Sequence, residues 1–445
     1  MIACYRAYVV GRYDMLLYNK KSENRKNQED GEDFMKYKNL AERIFDTRHV
    51  LFFLYATLFL LPLSSWLFYL ALVPAALLSV GDIFLTKRKI NYGGKWGWFG
   101  GGFLICSFLS VFEAPDKFFS IFNWCFLPLA YAFLYVLIST YLVGKEEKKK
   151  ALYVFFASAV CVVVWGFIQY ADAGCMARGL DAGGWVDPER FPLLKRRMFS
   201  TLENPNLFGA YLLMLISVFA PFALGERNNK RKILLAGFLF ILSVCLALTY
   251  SRGAWISLAG IVLGLAVFYD KRFGLVFLAV PLILFFYHGQ VAERFISLFS
   301  GEDTSLSLRL ALWESTIAMI EEHPLLGVGW GNYWLAYPEY NFFIEDADVV
   351  IFHAHDMYLH IPAEVGIPGG ILYFLFFFGQ GVVSWRIWRR GKGTMKLFGL
   401  SGMLLVLSAA IDGIGDYALF SCPVSCCFWA LSALCVSEER RGAAE

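Results

Sequence analysis

An all-α polytopic membrane protein is the fold class the sequence predicts, on three observations. The chain is 58% hydrophobic and 18% aromatic with only 17% charged residues, and its mean hydropathy of +0.54 lies outside the soluble globular range. Apolar runs of about 15 to 22 residues, the length that crosses a hydrocarbon core roughly 30 Å thick, recur about twelve times. The short loops between them alternate between rich and poor in Lys and Arg, as in a chain threaded back and forth through a membrane.

Residues 1–48 read as a polar tail. No cleavable signal peptide is expected, because about the first 45 residues mix charges of both signs and the first long apolar run begins near Val50. Within the tail, 19–33 is polar, and 34–45 reads first as more of the same solvated tail and second as an amphipathic helix at the bilayer surface. The expected spans are 49–63, 65–86, 97–113, 121–143, 151–171, 204–224, 233–250, 254–269, 273–288, 357–381, 397–413 and 417–436. They form one transmembrane domain over 49–436, followed by a short tail, 437–445.

Lys87-Arg88-Lys89, Lys145 to Lys150, Glu226 to Lys232, Asp270-Lys271-Arg272, Arg386 to Lys396 and Glu438 to Arg441 all fall on one side of this arrangement. The positive-inside rule then puts both termini in the cytoplasm and two long loops, 172–203 and 289–356, outside. A net charge of +3 scattered over short loops makes no continuous basic face, so nucleic acid is not an expected partner.

Leu61-Pro62-Leu63-Ser64-Ser65 reads as a tight hairpin turn, and Gly93 to Gly102 as an interfacial aromatic belt with close helix packing. Of ten cysteines, Cys175 is the one placed in an outside loop, so no disulfide framework follows. Cys422, Cys426 and Cys427 read as packed thiols, since no histidine lies near them in sequence. The second outside loop carries structure of its own: Asp303 or Thr304 can cap a helix with Leu306, Leu310, Trp313, Ile317 and Ile320 at helical spacing, stopped by Pro324. That amphipathic helix is expected across the outer mouth. Gly327 to Gly331 follows as a turn, without the Lys-Ser/Thr of a phosphate loop.

Polar chemistry concentrates where this loop re-enters the membrane, at His353-Ala-His-Asp356 and, behind it, Glu364. Lipid rejects such side chains, so they are expected to line a protein-walled cavity at the outer face. His355 suits a general base, its ordinary pKa lying near 6.5. The plainer alternative for His353 and His355 is a pair of loop histidines hydrogen-bonded to backbone. A metal would need further ligands from His288, His323, His360 or Asp348, none at a recognisable spacing, and neither metal nor cofactor is expected.

Arg252 stands at the outer end of a span, either snorkelling to headgroups or holding phosphate oxygens in paired hydrogen bonds. Arg309 lies close to the apolar face of the loop helix, either as a surface arginine or as a second anion contact. Arg190, Lys195, Arg196 and Arg197 crowd the other outside loop before Phe199-Ser-Thr-Leu-Glu-Asn-Pro-Asn206. Asp82, Asp412 and Asp416 are read at inner or middle levels, where a transporter of small anions would want them. No internal repeat accompanies them.

Several of these segments together resemble the O-antigen ligase and O-antigen polymerase family. They are His355-Asp356, nine intervening residues and then Gly366-Ile-Pro-Gly369, Glu203-Asn-Pro-Asn206 opening a span, Tyr250-Ser-Arg-Gly-Ala-Trp255, and Arg309-Leu-Ala-Leu-Trp313 with His323-Pro-Leu-Leu-Gly-Val-Gly329. The resemblance covers roughly residues 195–375. It implies a GT-C-like enzyme of the bacterial plasma membrane that moves a glycan from undecaprenyl pyrophosphate to an acceptor hydroxyl at the outer face, without metal. Lipid A-core is the first acceptor it implies. A polysaccharide polymerase and a protein O-oligosaccharyltransferase are close alternatives. By position, His355 matches the family's essential histidine and Arg252 and Arg309 its pyrophosphate-binding arginines; Arg197, Glu203, Asn206, His353 and Asp356 are expected to line the substrate site. Asp356 departs from the Asn, Ser or Gln more usual there, and its charge would raise the pKa of His355 or merely replace a hydrogen bond.

Overall fold

The structure is a computed structural model that describes residues 39–172, 197–202, 204–277, 304–341 and 350–437. The expectations for 19–33, Cys175, Arg190, Lys195, Arg196, Glu203, His288, Asp303 and Asp348 lie outside them. Among the described residues all regular structure is helical. A helix stands at each expected span except 273–288, which falls mostly outside the described residues. The helices are α1 (Thr47–Leu60), α2 (Tyr69–Thr86), α3 (Gly94–Ser110), α4 (Lys117–Phe126), α5 (Pro128–Tyr141), α6 (Lys145–Ala171), α7 (Pro205–Gly225), α8 (Asn229–Leu248), α9 (Arg252–Phe268), α10 (Thr304–Glu322), α11 (Tyr333–Ala336), α12 (Met357–Arg390), α13 (Thr394–Asp412) and α14 (Cys422–Val436). Among the described residues, seven segments are long and apolar enough to cross a membrane: α2, α4 with α5 as Lys117–Tyr141, α6, α7, α8, α12 and α13. The shorter α9 and α14 are also apolar.

The chain divides into two compact units, residues 1–53 with 73–89, and residues 54–72 with 90–445. In the first, buried Asp82 accepts hydrogen bonds from Thr47 Oγ1 at 2.5 Å and Arg88 Nε at 3.2 Å, which satisfies a carboxylate that would otherwise be costly to bury. Asp82 is thus tied to neighbours of its own unit.

In the second unit α7 is the most enclosed span, 89% of its apolar window being buried, and it packs against α8, α9, α13 and α14. Its start follows local rules: Asn204 caps it by accepting from Asn206 N at 2.8 Å, and Pro205 takes the first turn, where no N–H is needed. α9 presents Gly253, Ser257, Gly260 and Gly264 as a small-residue stripe. Cβ atoms built at Gly260 and Gly264 would meet Ile411 and Leu404 of α13, so the two helices close to backbone distance.

α12 is broken at Gly366, whose φ of 75° only glycine adopts without strain. The break frees the carbonyls of Ala363 and Glu364, and the turn after α10 occupies them: Val328 N donates to Ala363 O at 2.8 Å and Gly329 N to Glu364 O at 3.1 Å. Ile367 N in turn donates to Pro324 O at 2.8 Å. The glycine-rich turn therefore docks a broken helix.

α10 forms as expected but buries a different face. Leu310 and Ile317 are exposed, whereas Leu312, Ser315, Thr316 and Met319 are fully buried, and Leu312 and Met319 join a small core with Tyr333, Tyr337 and Ala363. Periodicity alone could not choose between two adjacent half-apolar stripes; the docked Gly327 to Gly331 turn fixes the rotation. Arg309 shares the buried face, three and seven residues before Leu312 and Thr316.

Candidate functional site

The site gathers where α12 begins, α13 ends and α7 begins. Asp356 caps α12, its Oδ1 accepting from Leu359 N at 2.9 Å, and burial pushes its carboxyl up from the ordinary carboxylate range. The residue before it, His355, is held at φ 51°, a left-handed geometry that costs a non-glycine residue of order 1–3 kcal/mol and that recurs at functional sites. That turn carries the imidazole away from Asp356 and onto a carboxylate from another element.

His355 Nδ1 lies 3.2 Å from Asp416 Oδ1. A carboxylate can only accept, so the bond puts the ring proton on Nδ1 and leaves the Nε2 lone pair to take a proton from a ligand. The His355 side chain is 33% exposed, against 13% for Asp416, so the base faces outward from a shielded carboxylate. Tyr417 N also donates to Asp416 Oδ1, at 2.8 Å, and Asn206 Nδ2 donates to Oδ2 at 2.9 Å. Asn206 Oδ1 accepts from Arg197 Nη2 at 3.0 Å, while Arg197 Nε donates to Thr249 O at 2.7 Å. One hydrogen-bonded chain thus runs from Arg197 through Asn206 and Asp416 to His355. Burial alone would raise the Asp416 carboxyl, but the His355 hydrogen bond, first among the opposing causes, and the charge of Arg309 outweigh it and hold the group below the ordinary range.

His353 packs beside His355, ring centroids 4.2 Å apart, and its Nδ1 accepts the His355 backbone N–H at 3.2 Å. Burial, followed by the charges of neighbouring His355, His360 and Arg309, pushes its pKa well below the ordinary value despite the opposing pull of Asp416. His353 is therefore a neutral orienting group. His360 stands behind it, its Nδ1 accepting from Ala354 N at 3.3 Å and its Nε2 3.5 Å from Glu364.

Arg309 reaches the site from α10. A Cβ built on Gly415 would lie 3.8 Å from Arg309 Nη1, and the guanidinium charge acts on His353, Asp412 and Asp416. Among the described residues no side chain accepts a hydrogen bond from it, which leaves its fork of donors for a ligand. Arg252 is half-buried on the first turn of α9; a Cβ on the next residue, Gly253, would lie 3.6 Å from Asp412 Oδ1. The first turn of α9 therefore abuts the carboxylate that Arg309 also feels.

Of the residues singled out in the sequence, His353, His355, Arg197 and Asn206 converge on Asp416, Arg309 faces the same carboxylate, Arg252 stands on the adjacent helix start, and Asp356 spends its side chain on a cap. Asp416 itself was expected at an inner or middle level, and the structure corrects this: Asp412 and Asp416 stand at the His355 end. The alternation of loop charges carried the signal, since a span leaving the basic 386–396 loop ends on the opposite side at residue 413. Ligand atoms of His353, His355 and Asp416 lie within 4.8 Å of one another, near enough for one metal ion. The charge of Arg309 opposes a cation there, and the His355 N–H already occupies the Nδ1 lone pair of His353, leaving that ring only Nε2 for a ligand.

Fold and site together define an integral membrane protein with an imidazole-carboxylate pair and convergent guanidiniums at one end of its helices. Residues 237–374 match the family model described as O-Antigen ligase, which supports the resemblance read from the motifs. Arg252, Arg309, His353 and His355 lie inside the match; Arg197, Asn206 and Asp416 lie outside it. No curated protein matches the chain.

Proposed function

We propose that the protein is an O-antigen ligase-type glycosyltransferase that transfers a glycan from undecaprenyl pyrophosphate to an acceptor hydroxyl, lipid A-core first among acceptors, at the outer face of the bacterial plasma membrane. The observation that carries the reading is the His355–Asp416 pair facing the unspent guanidinium of Arg309. His355 Nε2 takes the proton of the acceptor hydroxyl as its oxygen attacks the anomeric carbon, and the carbon–oxygen bond to pyrophosphate breaks. Asp416 steadies the imidazolium that forms, and Arg309 and Arg252 take up the charge developing on the departing pyrophosphate. The leaving group carries its own driving force, so the protein supplies orientation and electrostatics and needs no metal.

The test incubates purified protein with a lipid-linked glycan and, separately, lipid A-core, an acceptor protein or a second lipid-linked glycan, and follows which gains mass. Lipid A-core is expected to gain it; mass on the second lipid-linked glycan would make the protein a polymerase, and mass on protein an O-oligosaccharyltransferase. His355→Ala should retain donor binding and lose about 10² to 10⁴ in transfer, the usual contribution of a positioned base. An active His355→Ala would remove the base assignment. Transfer abolished by a chelator and restored by Zn²⁺ would replace the metal-free mechanism with one built on His353, His355 and Asp416.

A further inference from the structure

The opposite end of the same helices holds a second concentration of charge. α7 runs from the His355 site at Pro205 to Gly225, a distance of roughly 30 Å at 1.5 Å per residue. Around its far end an open cavity of about 850 Å³ is lined by Lys145 and Lys149 of α6, Arg227 and Arg231 at the start of α8, and Lys396 at the start of α13. These cations come from three loops distant in sequence. Membrane sorting asks only that basic loops share a side of the bilayer; it does not require them to ring one cavity.

Two carboxylates share the rim, and both are engaged locally. Glu146 lies 3.9 Å from Lys149, and Glu226 accepts from the backbone N–H groups of Arg227 and Asn228 at 2.8 and 2.9 Å. Five cations therefore outnumber the acids. Beneath the rim the walls turn apolar, with half-buried Phe156 and Phe222 facing the cavity and Phe219 and Phe398 buried in its wall. On α8, Ile233 and Leu234 are 72% and 60% exposed, so the apolar surface continues beyond the cavity.

We infer that this cavity binds one anionic phospholipid, its phosphate among Lys149, Arg231 and Lys396 and the upper part of an acyl chain over the phenylalanines. A neutral lipid would leave the cations unmatched, and a free phosphate would leave the aromatic walls against water; a phosphate joined to hydrocarbon satisfies both. The volume lies in the range of roughly 300–1,000 Å³ typical of small-molecule sites, enough for a headgroup with the first part of a chain. The site is separate from the transfer chemistry and does not depend on which acceptor the protein uses.

The experiment reconstitutes the full-length protein in nanodiscs of equal phosphatidylglycerol and phosphatidylethanolamine, extracts it into mild detergent, and counts retained lipids by native mass spectrometry. One phosphatidylglycerol per chain is expected, favoured roughly tenfold over phosphatidylethanolamine. The combined variant Lys149→Ala, Arg231→Ala, Lys396→Ala should lose that preference, whereas Lys87→Ala with Lys89→Ala, outside the cavity, should keep it. Excess glycerol phosphate should not displace the lipid. Equal retention of both lipids by the unaltered protein, equal losses in the two variants, or displacement by glycerol phosphate would each overturn the assignment. The unaltered protein's lipid preference decides the matter even where the combined variant folds poorly.

Discussion

The two ends of the helices both collect basic side chains, and they hold them in opposite ways. At the His355 end Arg197 is 6% exposed and fixed by hydrogen bonds to Thr249 O and Asn206 Oδ1, and the carboxylate it reaches through Asn206 is itself fully engaged. At the other end the Lys149 side chain is 48% exposed and meets Glu146 only at 3.9 Å. A buried, hydrogen-bonded network recognises geometry, because each donor already has a direction. Long side chains on a wet rim recognise charge, because they can follow the ligand. On the proposed reading, the same residue types serve an ordered reaction at one end and a tolerant binding surface at the other.

That contrast is most exposed to failure at Asp416. Asp416→Asn keeps the shape but removes the charge that steadies an imidazolium, and with its oxygen kept on His355 Nδ1–H and Tyr417 N it sets an Nδ2 donor against the donating Nδ2 of Asn206. Transfer should fall by about 10² or more, with donor binding retained. Asp356→Asn should change transfer less than about twofold, since asparagine caps a helix as well as aspartate does. Measuring both variants in one assay decides which carboxylate serves the base. A severe loss in Asp356→Asn with a mild one in Asp416→Asn would return the partner of His355 to its neighbour in sequence.

The reason the sequence does not show Asp416 as the partner of His355 is physical. Hydropathy and loop charge report on runs, so they give the helices, the re-entry of the loop at His353 and the arginines that stand against the positive-inside preference. They are silent on a pair separated by 61 positions whose contact is created by one left-handed residue, His355. The break at Gly366 is half legible: Pro362, Gly366 and Pro368 announce irregularity within an apolar span, but nothing local says that Val328 and Gly329 will fill the freed carbonyls. The rotation of α10 was illegible for the same reason, since its buried side is chosen by that docked turn.

Charge-preserving exchanges sharpen the comparison with a smaller expected effect. Arg309→Lys keeps the charge but replaces a planar fork of donors with a point-like ammonium, and the transition-state contact it loses is of the charge-assisted kind, typically about 1.5 to 3 kcal/mol. Transfer should drop on the order of ten- to a hundredfold. Arg231→Lys at the basic end should change phosphatidylglycerol retention by less than about twofold, because the rim reads charge. Similar penalties for the two exchanges, measured as transfer and as lipid retention, would erase the distinction between a geometric and an electrostatic end.

The smallest effect concerns stability and follows from His353. Its folded pKa is depressed, mainly by burial, whereas in the unfolded chain it titrates near 6.5. Between those two values the unfolded state holds a proton that the folded state lacks, so stability rises with pH; the contribution is complete above about 6.5 and is lost as pH falls toward the folded value. Asp416 is also depressed, but its loss begins only near the ordinary carboxylate range, well below a window of pH 7.5 to 5.5. Asp356 is raised by burial and acts with the opposite sign, and the Asp412 carboxyl stands in the same cluster, so the comparison belongs in an Asp356→Asn, Asp412→Asn background. There, acidification from pH 7.5 to 5.5 should lower the melting temperature, the slope below pH 6.5 approaching about 1.4 kcal/mol per pH unit at most. His353→Gln, whose amide oxygen can accept the His355 N–H without titrating, should flatten that slope. Parallel pH profiles for the two proteins would show that His353 is not buried as a neutral imidazole, and with that the packed, geometry-fixed character assigned to the His355 end would fail.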